Sequence, residues 1–155
     1  DLTVMNILQL IPRLDFGGAE TGVLDLAKYF SLKNHNSLVA SGGGDLVKEL
    51  AVNNIRHYQL PLNQLSFLAV IRTTSQLIKI IRQEKIDIIY THSWSPVISG
   101  WLAAKITRKV LITTAHSNYQ SFWQRYLMGL GRYVICPSRT TAEFLIKNSS
   151  QLEKK

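Results

Sequence analysis

Two adjacent glycines and two histidines are the residues of this sequence best placed to do chemistry. Gly17 and Gly18 stand where an apolar run gives way to a helical period, in "IPRLDFGGAETGVLDLAKYF". Glycine accepts backbone angles closed to other residues and lets another group approach the main chain, so this pair predicts a tight turn with exposed N–H groups. The first N–H groups of the helix that follows lack intrahelical partners and lie at the positive end of its dipole, where phosphate or carboxylate is favoured. A tight turn chosen only for packing is the competing reading.

His92 closes the apolar run "IDIIYTH" and His116 the run "VLITTAH". Ser93 and Trp94 follow His92, so this group could line a pocket; a loop histidine beside a core tryptophan is the alternative. For His116 the alternative is a satisfied, half-buried side chain. No third ligand stands at a spacing that would make a metal site of the two histidines, and none is expected. Asp15 and Glu20 flank the glycines without forming a convincing acid/base pair; Glu20 stabilises the start of the helix. His35 and His57 read as surface residues. Cys136 is the only cysteine, which excludes an intrachain disulfide or a cysteine-based metal cluster and fits a reducing cytoplasm.

The elements that must position these residues alternate in type. Short apolar runs predict strands at Val4–Ile11, Ser37–Ala40, Arg56–Gln59, Ile86–Thr91, Val110–Thr114 and Tyr133–Cys136. Helical spacing or helix-start signals mark Glu20–Leu32, Leu46–Asn53, Phe67–Glu84, Pro96–Lys105, Phe122–Leu130 and Ser138–Lys147. Such alternation predicts a Rossmann-like α/β fold: a doubly wound parallel sheet with helices on both faces, in the order 3-2-1-4-5-6, binding ligands outside the carboxyl ends of its strands. In the third helix Leu68, Ile71, Leu77, Ile78 and Ile81 gather on one side, leaving Arg72, Lys79 and Arg82 as an outward basic stripe. Phe122, Trp123, Tyr126 and Leu127, with Arg125 and Arg132, read first as a helix packed on the sheet and second as an interfacial membrane contact.

The chain has 155 residues, enough for one domain, taken here as 1–147 with a polar tail at 148–155. Its 18 Lys and Arg against 10 Asp and Glu give a formal charge of +8. That balance suits an anionic membrane, a phosphorylated substrate or nucleic acid, or serves solubility alone. No run is long enough for a membrane span, and "VMNILQLI" reads as a strand, not a signal peptide. A dinucleotide fold would need G-x-G-x-x-G soon after the first strand; here the glycines are adjacent and late, and "SGGGDL" stands where a ribose-binding acid should end the second strand. Nicotinamide or flavin is therefore not expected.

Taken in order, "ILQLIPRLDFGGAETGVLDLAKYF", "VASGGGDLVKELAVNNIRHYQLPL", "IDIIYTHSWSPVISGWLAAKI", "VLITTAHSNY" and "YVICPSRTTAEFL" resemble the amino-terminal domain of family 4 retaining glycosyltransferases, one half of a GT-B architecture. The resemblance implies a nucleotide-sugar donor as co-substrate, no further cofactor, and a glycan or lipid-linked hydroxyl as acceptor in cell-envelope polysaccharide, lipopolysaccharide or glycolipid synthesis. By resemblance, Gly17 and Gly18 approach the donor sugar and diphosphate, and His116 lies beside the donor sugar and the acceptor hydroxyl. A neutral hydrogen-bonding histidine there suits a transition state with oxocarbenium character.

His92, Ser93 and Trp94 are candidates for the acceptor side, and Arg72, Lys79 and Arg82 for a peripheral contact with an anionic membrane on its cytoplasmic face. No nucleic-acid partner is expected. The tail "KNSSQLEKK" falls where the resemblance predicts an interdomain linker, so a second Rossmann-like domain with the nucleotide site is expected outside this chain, which would be inactive alone. Half of a GT-B nucleotide-sugar epimerase, or a non-enzymatic flavodoxin-like binding module, are the alternatives; acidic groups around the cleft would favour the epimerase, and Asp15 is the only nearby candidate.

Overall fold

The computed structural model describes residues 4–148. Its strands are β1 (Asn6–Leu10), β2 (Asn36–Ser41), β3 (Arg56–Gln59), β4 (Ile88–Thr91), β5 (Val110–Thr114) and β6 (Tyr133–Ile135). They form a six-stranded sheet in the order β3-β2-β1-β4-β5-β6, with every neighbouring pair parallel. The reversal of strand order falls between β1 and β4, whose register pairs Leu8 with Ile89 and Leu10 with Thr91. This is the predicted Rossmann-like arrangement, and it puts the crevice of a doubly wound sheet beyond Leu10 and Thr91.

Six helices connect and follow the strands: α1 (Gly18–Leu32), α2 (Val47–Val52), α3 (Phe67–Gln83), α4 (Val97–Thr107), α5 (Phe122–Met128) and α6 (Arg139–Lys147). Because side chains alternate across a strand, β1 and β2 feed two cores. Leu8, Leu10, Leu38 and Ala40, with Ile89 and Leu111, pack against Leu77 and Ile81 of α3, Val97 and Ala103 of α4, Met128 of α5 and Leu145 of α6. On the other face Val39, with Ile11 and Leu14 beyond β1, meets Val23, Leu24 and Ala27 of α1 and Leu50 of α2. At Gly100 an added methyl would lie 3.1 Å from a Leu10 methyl and 3.4 Å from Thr91 Cγ2, so α4 packs with its backbone close to the sheet centre.

Helices α1 to α4 stop in one way. Asn34, Asn54, Lys85 and Arg108 each take a left-handed conformation (φ 62°, 55°, 51° and 56°). The next residue's N–H then reaches back five residues: His35 to Phe30 O, Ile55 to Leu50 O, Ile86 to Ile81 O and Lys109 to Ala104 O, each at 2.9 Å. These are Schellman closures without glycine.

Several expectations need correction. The helix begins at Gly18, not Glu20, and Gly17 is its N-cap with φ −179° and ψ 167°, ordinary extended backbone. The glycine pair is therefore no strained turn. Leu68 and Ile71, assigned to the buried side of α3, are 77% and 50% exposed, because the first turns of the helix project beyond the sheet. Phe122, Trp123 and Tyr126 are also exposed, so the core reading of α5 holds only for Leu127, which packs on the core beside Met128, and fails for the three rings. Arg125 is no free cation, since its guanidinium donates to the carbonyls of Tyr119, Gln120 and Asn148. The tail assigned to a linker lies outside the described residues from position 149 onward.

Candidate functional site

The loop between β1 and α1 is held at the carboxyl edge of the sheet by the glycines that follow β2. Gly42 N–H donates to Pro12 O (2.9 Å), Leu14 N–H to Gly43 O (2.8 Å), and Leu46 N–H to Leu14 O (2.9 Å), extending the sheet pairing beyond the strands. Gly44, at φ 143°, passes so close to the backbone of Leu14 and Asp15 that a Cβ would overlap the Leu14 carbonyl. Here, and not at Gly17 and Gly18, conformation and close approach both demand glycine. Ser41 Oγ lies 2.8 Å from His57 Nε2 and 3.1 Å from Gly43 N, so His57 is a half-buried support of this turn and not a plain surface residue.

The mouth of the loop carries Arg13, Asp15, Gly17, Gly18 and Glu20. Arg13 grips Asp15 through two bonds, Nε–Oδ2 at 2.6 Å and Nη2–Oδ1 at 3.0 Å. That guanidinium holds the Asp15 carboxyl below its usual range, with further help from the Asp45 backbone N–H. Glu20 folds back over the start of its own helix, where a methyl on Gly17 would strike its carboxylate. Gly18 is different: its angles are helical and nothing lies within 4 Å of where a Cβ would stand. Neither strain nor internal packing explains a glycine there; what it provides is open space at an uncapped helix start.

At the ends of β4 and β5 the two predicted histidines come together. His92 is only 2% exposed and is buried more deeply than a pocket-lining side chain would be. Its Nε2 lies 2.8 Å from Gln9 Oε1 and its Nδ1 3.5 Å from His116 Nε2. Burial drives its pKa down to about 3, with a smaller push from His116, so the ring is neutral at any ordinary pH. Tyr90 lies against it with ring centroids 4.3 Å apart and planes tilted by 36°, and the Tyr90 hydroxyl accepts from Thr114 Oγ1 at 2.8 Å. His116 lies over His92 with centroids 5.8 Å apart and is exposed at the mouth. Partial burial lowers its pKa, and the field of Glu20 raises it by less. Tyr119 is buried just after His116, and Arg125 ties down the carbonyls of Tyr119 and Gln120.

Gly17, Gly18, Glu20, His92 and His116 thus share one edge. Ser93 and Trp94 are half-buried beside them, and Trp94 packs against the core beneath α3 and α4. Arg72, Lys79 and Arg82 are exposed along α3, outside this cluster. Among the described residues no group of three or more His, Cys, Asp or Glu side chains gathers as metal ligands. The residue that sequence reasoning missed is Gln9. Its signal was an amide set between Leu8 and Leu10 in "NILQL", wholly buried, where a strand covered on both faces should be apolar.

An open α/β sheet with a loop and two histidines at its carboxyl edge is shared by many proteins, and comparison narrows the choice. A glycosyltransferase from Rickettsia africae is 30% identical and superposes with a TM-score of 0.81 over 94% of this chain and 40% of its own length. HepE of Anabaena, solved with UDP and glucose, matches at 21% identity and TM-score 0.76, over 94% of this chain and 41% of that one. A UDP-N-acetylglucosamine 2-epimerase from Listeria monocytogenes shares the fold at 14% identity and TM-score 0.63, over 94% and 43%. The chain therefore spans about two-fifths of the length of these structures. No curated protein matches the sequence. The profile of Glycosyltransferase Family 4 matches residues 16–152, from the glycine loop to beyond α6, and with that span covered the chain belongs to glycosyltransferase family 4.

Proposed function

We propose that this chain is the N-terminal, acceptor-binding half of a retaining glycosyltransferase that moves a sugar from a nucleotide-sugar donor to a hydroxyl. The observation that carries the reading is His116, exposed just beyond the end of β5 with its pKa lowered by partial burial, within the field of Glu20 at the uncapped start of α1. A donor diphosphate is drawn to free N–H groups at a helix start, and the open face of Gly18 lets it approach. His116 then orients the reacting sugar and hydroxyl as a neutral hydrogen-bonding group, which avoids placing a full cation against oxocarbenium charge. In front-face transfer the leaving diphosphate helps to remove the acceptor proton, so no protein nucleophile is required. The nucleotide itself would be held by a second domain; HepE, whose structure contains UDP, is more than twice this chain's length.

An epimerase would need a carboxylate at the cleft that gains and returns a proton. Of the carboxylates at the mouth, Asp15 is tied to Arg13 and made a weak base by that contact, and Glu20 is folded over the start of its own helix, so no observation favours this alternative. For the acceptor, a lipid-linked glycan presented at an anionic surface fits the exposed stripe of Arg72, Lys79 and Arg82.

The test is His116→Ala in the full-length enzyme, with transfer and folding measured together. Loss of turnover on the order of 10²-fold, with little change in melting temperature, is expected for a positioned polar group. Normal turnover in a folded variant would overturn the reading. The purified chain alone is expected to show neither transfer nor nucleotide-sugar hydrolysis.

A further inference from the structure

Gln9, His92 and His116 form a directed chain whose donors and acceptors can be assigned from one fixed end. Gln9 Nε2 lies 3.3 Å from the carbonyl of Val23 in α1. A carbonyl only accepts, so the amide nitrogen must face it and Oε1 must face His92. That oxygen, 2.8 Å from His92 Nε2, requires the proton of the neutral ring to sit on Nε2. His92 Nδ1 is then a bare acceptor. His116 Nε2 is the atom opposite it at 3.5 Å, and the two bond only if that nitrogen carries a proton, which in neutral His116 leaves Nδ1 bare.

We propose that Gln9 and His92 are positioning residues that fix His116 as its Nε2–H tautomer, so that it offers Nδ1 to substrate as an acceptor for a sugar or acceptor hydroxyl. This rests on the reading of His116 as the substrate-facing residue. The cost of the arrangement is visible: an amide and an imidazole are buried at the sheet centre, where the neighbouring strand residues Leu8, Leu10 and Ile89 are apolar. Buried polar groups that are fully bonded specify one arrangement, because every other leaves a donor or acceptor unpaired. The chain also gives His116 a direction. An acceptor-only nitrogen favours hydroxyl donors, and protonation of His116 turns that nitrogen into a donor. The groups facing His116 are His92 and, beneath it, Tyr90 from β4; Glu20 from α1; and Ser117 and Tyr119 from the segment that follows it.

Nitrogen-15 NMR of the imidazole rings in this chain tests the assignment without any turnover. At neutral pH both histidines are expected as pure Nε2–H forms, with widely separated nitrogen signals and a slowly exchanging His92 Nε2 proton. In Gln9→Met, which keeps the volume and removes the acceptor, the two nitrogens of each ring should move toward a tautomeric average. Gln9→Glu keeps an acceptor and should keep the separated pattern, while its charge raises the histidine pKa values. In the full-length enzyme, kcat should fall at least tenfold in Gln9→Met with the KM for nucleotide sugar nearly unchanged. Gln9→Glu should recover most of it, with the acid limb of the pH profile moved upward.

A bare Nε2 on His116, or a proton on His92 Nδ1, overturns the proposal in the wild-type chain even if the variants fold poorly. So does Gln9→Met with unaltered ring signals and an unaltered pH profile. The expected tautomers together with a fully active His116→Ala enzyme would confirm the chain of bonds and overturn instead the role given to His116.

Discussion

His92 shows how much a single buried side chain can cost and when the cost falls due. Its ring must stay neutral, so folding is opposed by protons: the pKa is about 3 in the folded chain against 6.5 for the ordinary group. A depressed value means that the stabilising contribution is whole above about pH 6.5 and drains away as pH falls toward 3. At 1.36 kcal/mol per unit this linkage is worth at most roughly 5 kcal/mol, less if the acid-unfolding chain admits water early. His92→Gln, unable to titrate, is expected to be less stable at pH 8 but to lose less on acidification. Urea melts at pH 8, 6 and 4.5 read this directly, and parallel losses in variant and wild type would remove His92 as the acid-sensitive group. Gly18 offers the opposite case. With helical angles and open space, Gly18→Ala should leave stability unchanged or raise it by about 0.5–1 kcal/mol, since alanine has less freedom to lose. In the full-length enzyme the same methyl should lower turnover if donor phosphate lies there; unchanged turnover would leave Gly18 without a role at the site.

The order of strands and helices was legible because period and turn chemistry agree all along the chain, from the short apolar run of β1 to the serine N-caps Ser66 and Ser138. The glycines were legible only in part. Sequence places "GG" and "SGGG" in loops, yet only backbone geometry shows that Gly44 meets the Leu14 carbonyl while Gly18 meets nothing. The helix ends were placed within one or two residues, but how they close was hidden: Lys85 and Arg108 occupy left-handed closures where glycine is the usual residue, so no sequence signal marks the conformation. A left-handed non-glycine residue costs about 1–2 kcal/mol, partly offset by glycine's greater freedom when unfolded. Lys85→Gly and Arg108→Gly should each therefore stabilise the chain, by about 0.5–1 kcal/mol. Gly44→Ala should instead cost on the order of 1–3 kcal/mol or more, because its angle and its collision with backbone act together. Thermal melts of the three variants decide this, and equal effects at Lys85 and Gly44 would refute the geometric account.

The basic stripe of α3 and the exposed apolar starts of α3 and α5 belong to one layer of the molecule. Helices run opposite to the strands they follow, so the starts of α3 and α5 lie at the carboxyl edge of the sheet, beside the histidines. There Phe67 and Leu68 of α3, and Phe122 and Trp123 of α5, are each between 61% and 78% exposed. Arg72, Lys79 and Arg82 continue along the outer side of α3. Among the described residues no helix is long and apolar enough to cross a membrane. Basic side chains near an anionic bilayer contribute about 1 kcal/mol each and are screened by salt, whereas aromatic rings at the headgroup level are not. The two terms are therefore separable. The chain is expected to sediment with anionic vesicles at low salt and with neutral ones hardly at all, and Arg72→Glu with Lys79→Glu should abolish most of that binding. Trp123→Ala should weaken it at every salt concentration, and the wild-type tryptophan emission should shift to the blue on binding. Equal recovery with neutral and anionic vesicles, or binding indifferent to the charge reversals, would leave the stripe as a solvated helix face and remove the lipid surface as the place where acceptor is met.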